Sequence, residues 1–206
     1  MASRWRVGRW RSPLRAVIVC GVLALGFWSY AKFGDAFDYA GSPVWHLLAP
    51  RLDLTTDRGQ QFSLGQLRGH AVLVYFGYTN CPDVCPATLA DLTAALRELG
   101  KVSTKVDVVF VTLDPAHDSP PLLRHYLAAF GPRFIGLTGS PAAIAEAAKS
   151  WNISWKIVPG HADYIDHTSV VALVGPQGHL RTRYGVAQVG DRDGLSKDIR
   201  HVLDVS

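Results

Sequence analysis

The segment His70-Ala-Val-Leu-Val-Tyr-Phe-Gly-Tyr-Thr-Asn-Cys-Pro-Asp-Val-Cys-Pro-Ala-Thr-Leu89 predicts a strand, a loop and the start of a helix. The run at 70–76 is apolar and β-branched, which is typical of a central strand covered on both faces. Leucines at 89, 92, 96 and 99 then recur at helical spacing, so we predict a helix at about 86–99. Two cysteines lie in the loop, at the carboxyl end of the strand, where α/β sheets bind their ligands.

Further elements surround this segment and predict one α/β domain. They are a hairpin over 52–63, strands at 106–112 and 134–137, helices from 120 and over 141–150, a hairpin of strands 169–174 and 179–184, and a helix at 190–203. This order joins a βαβ half to a ββα half, which gives one mixed four-stranded sheet with helices on both faces. We therefore predict a thioredoxin-like domain over 51–206, with an added N-terminal β-hairpin.

The N-terminal region has the pattern of a membrane anchor. Residues 1–15 form a basic leader, and residues 16–31 are uncharged and largely apolar. The positive-inside rule then predicts a cytoplasmic leader and a single transmembrane helix at 16–31. Residues 32–50, which are aperiodic and contain Gly and Pro, are predicted to be a tether. We expect a bacterial inner-membrane protein with its domain in the periplasm. A cleaved signal peptide and a mitochondrial inner-membrane location remain alternatives.

The distribution of charge argues against a nucleic-acid partner. The chain has 21 basic and 17 acidic residues, a net charge of +4. Five of the basic residues are the arginines of 1–15, so the remaining chain carries 16 basic against 17 acidic residues. No basic stripe is left that would follow a phosphate backbone.

Cys81 and Cys85 are the candidate reactive pair, because Cys20 lies in the apolar run and behaves there as a small hydrophobe. A helix N-terminus favours thiolate, and thiolates select soft metals such as Cu(I), while imidazole suits copper in either oxidation state. His167 is the predicted third ligand. It precedes strand 169–174, which we expect to run antiparallel to 70–76, so that its start and the cysteine loop share one sheet edge.

Spacing alone leaves three interpretations of the cysteine pair open: a metal site, a redox dithiol and a structural disulfide. Zinc would need a fourth ligand, and none is found nearby. Asp166 is expected to orient the ring of His167. His117 and His161 are expected to be solvated, and Asp83 either tunes the site or solvates the turn. The histidines without motif context are His46, His70, His125, His179 and His201.

Four motifs together resemble the Sco/SenC family over about residues 51–203. They are Tyr75-Phe-Gly-Tyr-Thr-Asn-Cys-Pro-Asp-Val-Cys-Pro86, Val111-Thr-Leu-Asp-Pro-Ala-His-Asp118, Arg133-Phe-Ile-Gly-Leu-Thr-Gly139 and Asp166-His-Thr168. Members of that family are thioredoxin-fold copper proteins that help assemble the copper centre of cytochrome c oxidase. The resemblance implies that Cys81, Cys85 and His167 bind copper, as Cu(I), Cu(II) or both. Asn80 and His117 depart from the family pattern, and neither stands at a ligand position.

The resemblance implies a copper metallochaperone rather than an enzyme. Its expected partner is the copper-bearing subunit of cytochrome c oxidase or another copper chaperone. The alternative is a thiol–disulfide oxidoreductase, in which Cys81 and Cys85 reduce acceptor cysteines before metallation. Dithiol exchange needs no third ligand, so His167 distinguishes the two hypotheses.

Overall fold

The computed structural model describes residues 13–33, 37–158 and 160–205. The chain divides into two compact units, Met1–Asp38 and Tyr39–Ser206. In the first unit, helix α1 spans Pro13–Phe33, while the rest of the predicted leader lies outside the described residues.

None of the helices in the described ranges is long and apolar enough to cross a membrane. The structure therefore does not support the predicted anchor at 16–31. Its uncharged run, between Arg15 and Lys32, falls short of the roughly 20 apolar residues that a spanning helix needs.

Within the described residues, the strands of the second unit are β1 (Ser42–Leu48), β2 (Leu54–Thr56), β3 (Gln61–Phe62), β4 (Ala71–Gly77), β5 (Val106–Thr112), β6 (Phe134–Thr138), β7 (Trp155–Val158), β8 (His161–His167), β9 (Val170–Val174) and β10 (His179–Gly185). They form a sheet with the order β1-β10-β9-β4-β5-β6-β2-β3, and β7 and β8 pair separately as a ribbon.

The helices of the second unit are α2 (Val84–Leu99), α3 (Pro120–Ala128), α4 (Pro141–Ser150), α5 (Val186–Gly190) and α6 (Arg192–Asp204). Both α3 and α4 begin with a proline after a serine, a pattern typical of the first turn of a helix. At α4 the Ser140 hydroxyl accepts a hydrogen bond from the Ala143 amide at 3.2 Å, whereas Ser119 makes no such bond at α3.

The central strands confirm the predicted mixed sheet. Strand β5 pairs in parallel with both β4 and β6, and β9 lies antiparallel to β4 with Tyr75 opposite Val171. The beginning of β9 therefore lies beside the end of β4, as predicted. The hairpin of β2 and β3 forms as expected and adds to the outer side of β6.

The segment predicted as a tether at 32–50 differs from the structure. Its second half contributes β1, which pairs antiparallel with β10 from Ser42↔Arg183 to Leu48↔His179. The register shifts between Pro43 and Leu47, and such irregularity accommodates proline at a sheet edge. The sheet is consequently wider than the predicted four strands plus a hairpin.

The two faces of β4 enter different cores. Leu73 and Tyr75 pack in a cluster with residues of α2, α3 and α6, whereas Val72, Val74 and Phe76 pack with α4 and Trp151. This alternation is the normal consequence of strand geometry. The candidate site lies at the end of β4, on the side that Tyr75 faces.

Candidate metal centre

The cysteine loop connects β4 to α2 and brings the two thiols together. Cys81 precedes α2 and is half-buried, while Cys85 lies in the first turn of α2 with no exposed surface. The Cys85 amide donates a hydrogen bond to the Cys81 sulfur at 3.3 Å, so that sulfur takes the acceptor role of an N-terminal cap. Both residues are free cysteines.

Gly77, the last residue of β4, makes room for the Cys85 sulfur. A Cβ at this position would stand 3.0 Å from Cys85 Sγ and 2.9 Å from Phe110 Cε2. Real Cβ atoms essentially never come as close as the Phe110 contact, and the contact with the Cys85 sulfur would be tighter than nearly all that are observed. Glycine therefore gives the sulfur and the Phe110 ring room beside the end of β4. Since Tyr75 and Gly77 are two apart on one strand, the thiol lies on the Tyr75 face.

His167 completes the group from the end of β8. Its Nε2 lies 3.7 Å from Cys85 Sγ, although 82 positions separate the two residues in sequence. Its Nδ1 lies 3.2 Å from the Thr168 carbonyl oxygen. An Nδ1–H that donates to this carbonyl leaves the Nε2 lone pair facing the thiols, which is the tautomer a metal ligand needs.

The two thiols differ in electrostatics. A hydrogen bond from the Cys85 thiol lowers the pKa of Cys81, with further contributions from His167 and from the backbone amides of Cys85 and Asp83, against an opposing effect of burial. The ionised neighbour Cys81, together with burial, raises the pKa of Cys85. The pair therefore gives up one proton easily and retains the second, which makes Cys81 the nucleophilic sulfur.

Asp118 fixes the loop that carries Cys81. It is almost fully buried, and its carboxylate accepts hydrogen bonds from the Thr79 amide at 3.1 Å, from the Thr79 hydroxyl, and from the Thr112 hydroxyl at 2.5 Å. Burial raises the pKa of Asp118. These bonds tie the loop after β4 to the end of β5.

Two tyrosines flank the imidazole. The ring centroids of Tyr75 and Tyr78 lie 6.4 and 6.1 Å from that of His167. The Tyr78 hydroxyl also accepts a hydrogen bond from the Ile165 amide at 3.3 Å, and this bond attaches β8 to the cysteine loop. Tyr78 therefore helps to determine where His167 stands.

The other residues that the sequence singled out lie apart from the thiols. The His117 side chain is 71% exposed, and its Nδ1 lies 2.9 Å from an Asp114 carboxylate oxygen. The prediction that Asp166 orients His167 is wrong. Asp166 instead pairs with Lys156 at 3.4 Å, because neighbouring strand residues point to opposite faces. His161 begins β8, and its side chain lies outside the described residues. Asp83 is exposed, and its contribution to the site is its backbone amide.

Cys81, Cys85 and His167 are thus neighbours, but their donor atoms are not arranged around a common centre. In the described part of the chain, no group of three or more His, Cys, Asp or Glu side chains stands ready to hold a metal ion. The separation of 3.7 Å between Cys85 Sγ and His167 Nε2 is the length of a sulfur–imidazole contact.

Sequence reasoning missed Tyr75, Tyr78, Thr79 and Asp118 as parts of the site. The strand pattern contained a signal for Tyr75, because period two places it on the face of Gly77. In the sequence, Asp118 stood out only as the last residue of the motif at 111–118. Its contacts depend on how two loops meet, which the spacing of residues does not report.

Comparison with known proteins gives a consistent result. The SCO1/SenC family model matches residues 46–204. A putative copper-binding protein from Stutzerimonas stutzeri is 34% identical over 160 residues, which is 75% of this chain and 76% of that protein. An SCO2-like protein from Rickettsia conorii is 35% identical over 130 residues, 61% of this chain. The match spans only 63% of the Rickettsia protein.

Solved structures match over most of the chain. Copper-bound ScoI from Bradyrhizobium japonicum is 32% identical with a TM-score of 0.67, covering 76% of this chain and 99% of its own. Apo Sco1 from Thermus thermophilus is also 32% identical, with a TM-score of 0.72 and coverage of 82% and 99%. BsSco, a Sco-family cytochrome c oxidase assembly protein in which a disulfide switch has been identified, is 26% identical with a TM-score of 0.65, covering 82% and 100%.

Proposed function

Since the chain belongs to the SCO1/SenC family, we propose that it carries copper as cargo on Cys81, Cys85 and His167. The observation that carries this proposal is the approach of His167 Nε2 to Cys85 Sγ at 3.7 Å, from an element remote in sequence. Two sulfurs and one imidazole nitrogen make a donor set that suits both copper oxidation states. Cys81 and His167 are partly exposed, so another protein can reach this side of the site.

The proposed acceptor is the copper-bearing subunit of cytochrome c oxidase, or a second copper chaperone that exchanges copper with this one. Copper-bound and oxidase-assembly relatives support this assignment. We place the domain in a compartment where disulfides form, the bacterial periplasm, with the mitochondrial intermembrane side as the alternative. In a reducing compartment, the cysteines of the copper acceptor would stay reduced without a dedicated reductant.

A thiol–disulfide oxidoreductase is the second candidate, favoured by the lowered pKa of Cys81 beside a buried partner thiol. In that reaction the Cys81 thiolate attacks an acceptor disulfide, forms a mixed disulfide and releases one acceptor thiolate. Cys85 then loses its proton and attacks the Cys81 sulfur. The second acceptor thiolate leaves, and two electrons have passed to the acceptor as the Cys81–Cys85 disulfide forms.

Substitution of His167 separates the two functions. In the full chain, His167→Ala should weaken copper binding by at least about 10- to 100-fold, because outer-shell changes alone cost that much. Cu(II) should suffer more than Cu(I), since two thiolates still hold Cu(I) linearly. Competition titrations with both ions and the visible spectrum measure this.

His117→Ala is the matched control, because it removes an exposed imidazole at the same sheet edge. It should bind both copper ions like the wild type. Normal copper binding and oxidase assembly by His167→Ala would overturn the metallochaperone proposal and leave the oxidoreductase as the better one.

A further inference from the structure

The ribbon of β7 and β8 carries an exposed apolar side chain beside His167. In its register Trp155 stands opposite His167 and Ile157 opposite Ile165, and residues paired in this way share one face of the ribbon. Ile157 therefore lies on the face of the imidazole, about 7 Å along the strand from the Trp155–His167 pair. Its side chain is 62% exposed.

An open cleft of about 360 Å³ lies where β7 begins and β8 ends. Its walls include the Trp155–His167 pair and the neighbouring pair of Lys156 and Asp166. The side chains of Lys156 and Asp166 are 72% and 59% exposed, and they form an ion pair at 3.4 Å. A protein that docks over the imidazole would therefore meet both an apolar side chain and charged ones.

The charges in the connections of the central strands differ between the two edges of the sheet. Strands β4, β5 and β6 run parallel and β9 runs antiparallel to β4, so the connections after the first three and before β9 share the edge of the cysteine loop. These connections are 78–83, 113–119, 139–140 and 151–169, and the remaining connections of the same strands lie at the opposite edge.

The cysteine-loop edge is acidic and the opposite edge is basic. The connections at the cysteine-loop edge contain one base, Lys156, against Asp83, Asp114, Asp118, Asp163 and Asp166. Those at the opposite edge, 63–70, 100–105, 129–133 and 175–178, contain no acid and the bases Arg68, Lys101, Lys105 and Arg133. The domain is therefore polarised along its strands.

The acidic edge favours a basic partner. Lys156 is already paired with Asp166, which leaves no lysine or arginine in these connections for Asp83 and Asp114. Asp83 is exposed within the cysteine loop itself. Fields of this kind raise the association rate of a partner of opposite charge and lower that of a partner of like charge. They act over about 10 Å at 0.1 M salt.

We propose that the copper acceptor docks on the β7–β8 face around Ile157, and that it presents an apolar side chain flanked by lysine or arginine beside its own metal-binding cysteines. The apolar side chain meets Ile157, and the basic side chains meet Asp83 in the cysteine loop and Asp166 at the cleft. This inference rests on the proposed function, because it describes the surface of the protein with which the chain exchanges copper.

The test uses synthetic peptides that share a two-cysteine copper-binding core, flanked by lysines in one peptide and by glutamates in the other. Each peptide is mixed with the full chain loaded with Cu(I), and the copper content of the separated chain and peptide at successive times gives the transfer rate. The lysine peptide should take copper about tenfold faster at low ionic strength. The two rates should converge at about 1 M salt, where the Debye length is about 3 Å.

Removing the two aspartates should weaken this preference. In the double variant Asp83→Asn and Asp166→Asn, the ratio of the lysine-peptide rate to the glutamate-peptide rate should fall at least about threefold. The ratio cancels any change that the substitutions make in the reactivity of the cysteines, because both peptides carry the same core.

The double variant Glu98→Gln and Asp204→Asn is the matched control. It removes two exposed carboxylates at the ends of α2 and α6, and α2 carries Cys85 in its first turn, at the other end of the helix. The two helices end side by side, since Arg200 donates a hydrogen bond to the Glu98 carbonyl at 3.3 Å. The net charge changes by the same amount, yet the rate ratio should stay at the wild-type value.

The apolar contact has its own test. A second pair of lysine-flanked peptides carries leucine or serine next to the core. The wild-type chain should bind the leucine peptide several-fold more tightly, because leucine buries apolar surface against Ile157. Ile157→Ser should bind both peptides equally. Tyr164→Ser, which removes an exposed ring from the other face of the ribbon, should keep the preference for leucine.

A copper-free measurement separates this inference from the proposed function. The reduced chain is mixed with the disulfide forms of the lysine and glutamate peptides. The Cys81 thiolate attacks the peptide disulfide, and Cys85 then displaces the peptide, which leaves with two thiols as the Cys81–Cys85 disulfide forms. The lysine peptide should again react faster, with the same effects of the two double variants.

If the wild-type chain carries no copper, the proposed function fails, and the exchange rates with the peptide disulfides still decide the docking surface. Equal rates for lysine and glutamate peptides in both measurements would overturn the inference, as would a preference for glutamate. An equal loss of preference in the control with Glu98→Gln and Asp204→Asn would assign the effect to net charge and would also overturn it.

Discussion

Asp118 and Asp198 are two buried carboxylates held by uncharged donors, in two different regions of the molecule. Asp118 accepts hydrogen bonds from Thr79 and Thr112. Asp198, on α6, accepts through Oδ2 from the Ala40 amide at 3.0 Å and the Tyr184 hydroxyl at 2.8 Å. Burial raises the pKa of both carboxyl groups.

The difference lies in where the donors come from. Those of Asp118 belong to the loop that carries Cys81 and to the end of β5, so this carboxylate joins parts of the candidate site. Those of Asp198 belong to the segment before β1 and to β10, so it joins structural elements of the outer sheet to α6. A buried carboxylate with uncharged donors therefore supports the candidate site in one region and the fold in the other.

Removal of Asp198 should have the largest effect on stability. In Asp198→Ala, the Tyr184 hydroxyl and the Ala40 amide lose their acceptor, and Tyr184 has no exposed surface through which water could replace it. We expect a loss of about 3 kcal/mol in the free energy of unfolding, measured by denaturant titration. Copper affinity should stay at the wild-type value under conditions where the variant is folded.

Asp204→Ala, which removes an exposed carboxylate from the end of the same helix, is the matched control and should change stability by less than about 0.5 kcal/mol. A tenfold loss of copper affinity in folded Asp198→Ala would contradict the proposed division between the two aspartates.

Removal of Asp118 should cost less stability but should affect the site. Thr79 is half-buried and can turn its hydroxyl to water, but the Thr112 hydroxyl is fully buried and loses its acceptor. We therefore expect Asp118→Ala to lose about 2 kcal/mol. The freed loop should hold Cys81 less well, and copper affinity should fall about tenfold, the range seen when a ligand loses its supporting contacts. Cu(I) competition titration measures this loss.

Asp114→Ala is the control for this region. It removes a carboxylate from the same loop, and that carboxylate contacts His117 and not Thr79. Its copper affinity should equal that of the wild type. Unchanged affinity in Asp118→Ala as well would mean that the loop keeps its shape without this carboxylate.

The sequence predicted those parts of the fold that local patterns determine. The predicted strands at 70–76 and 106–112 and the predicted starts of α3 and α4 agree with the structure to within a few residues. Strand β1 was missed because its partner, β10, is remote in sequence and its own segment contains glycine and proline. The ribbon of β7 and β8 was missed because its short strands keep Ile157 and Tyr164 exposed, so no buried face marked them.

The sequence predicted only those site residues whose side chains have distinctive chemistry. Cys81, Cys85 and His167 were predicted to lie together because of their chemistry and the topology, and the structure makes them neighbours. Asp118 and Tyr75 were not, because an aspartate before a helix and a tyrosine in a strand have ordinary structural explanations. The contacts of Asp118 with Thr79 and of Tyr75 with the His167 ring arise only once the strands are in register.

The smallest expected effect is a difference in pH dependence, and it sharpens the comparison of the two aspartates. Because burial raises the pKa of Asp198 above its ordinary value of 3.8, folding favours its protonated form. Its contribution to stability is then fully present below pH 3.8 and is lost as pH rises through the folded pKa. Asn does not titrate, so the wild type should gain stability relative to Asp198→Asn as pH falls from 7 toward 3.5. Asp118→Asn should show the same sign, and denaturant titrations of all three chains at both pH values measure it. A stability difference that stays constant, or that moves in the opposite direction, would mean that the folded state does not raise the pKa of these carboxyl groups.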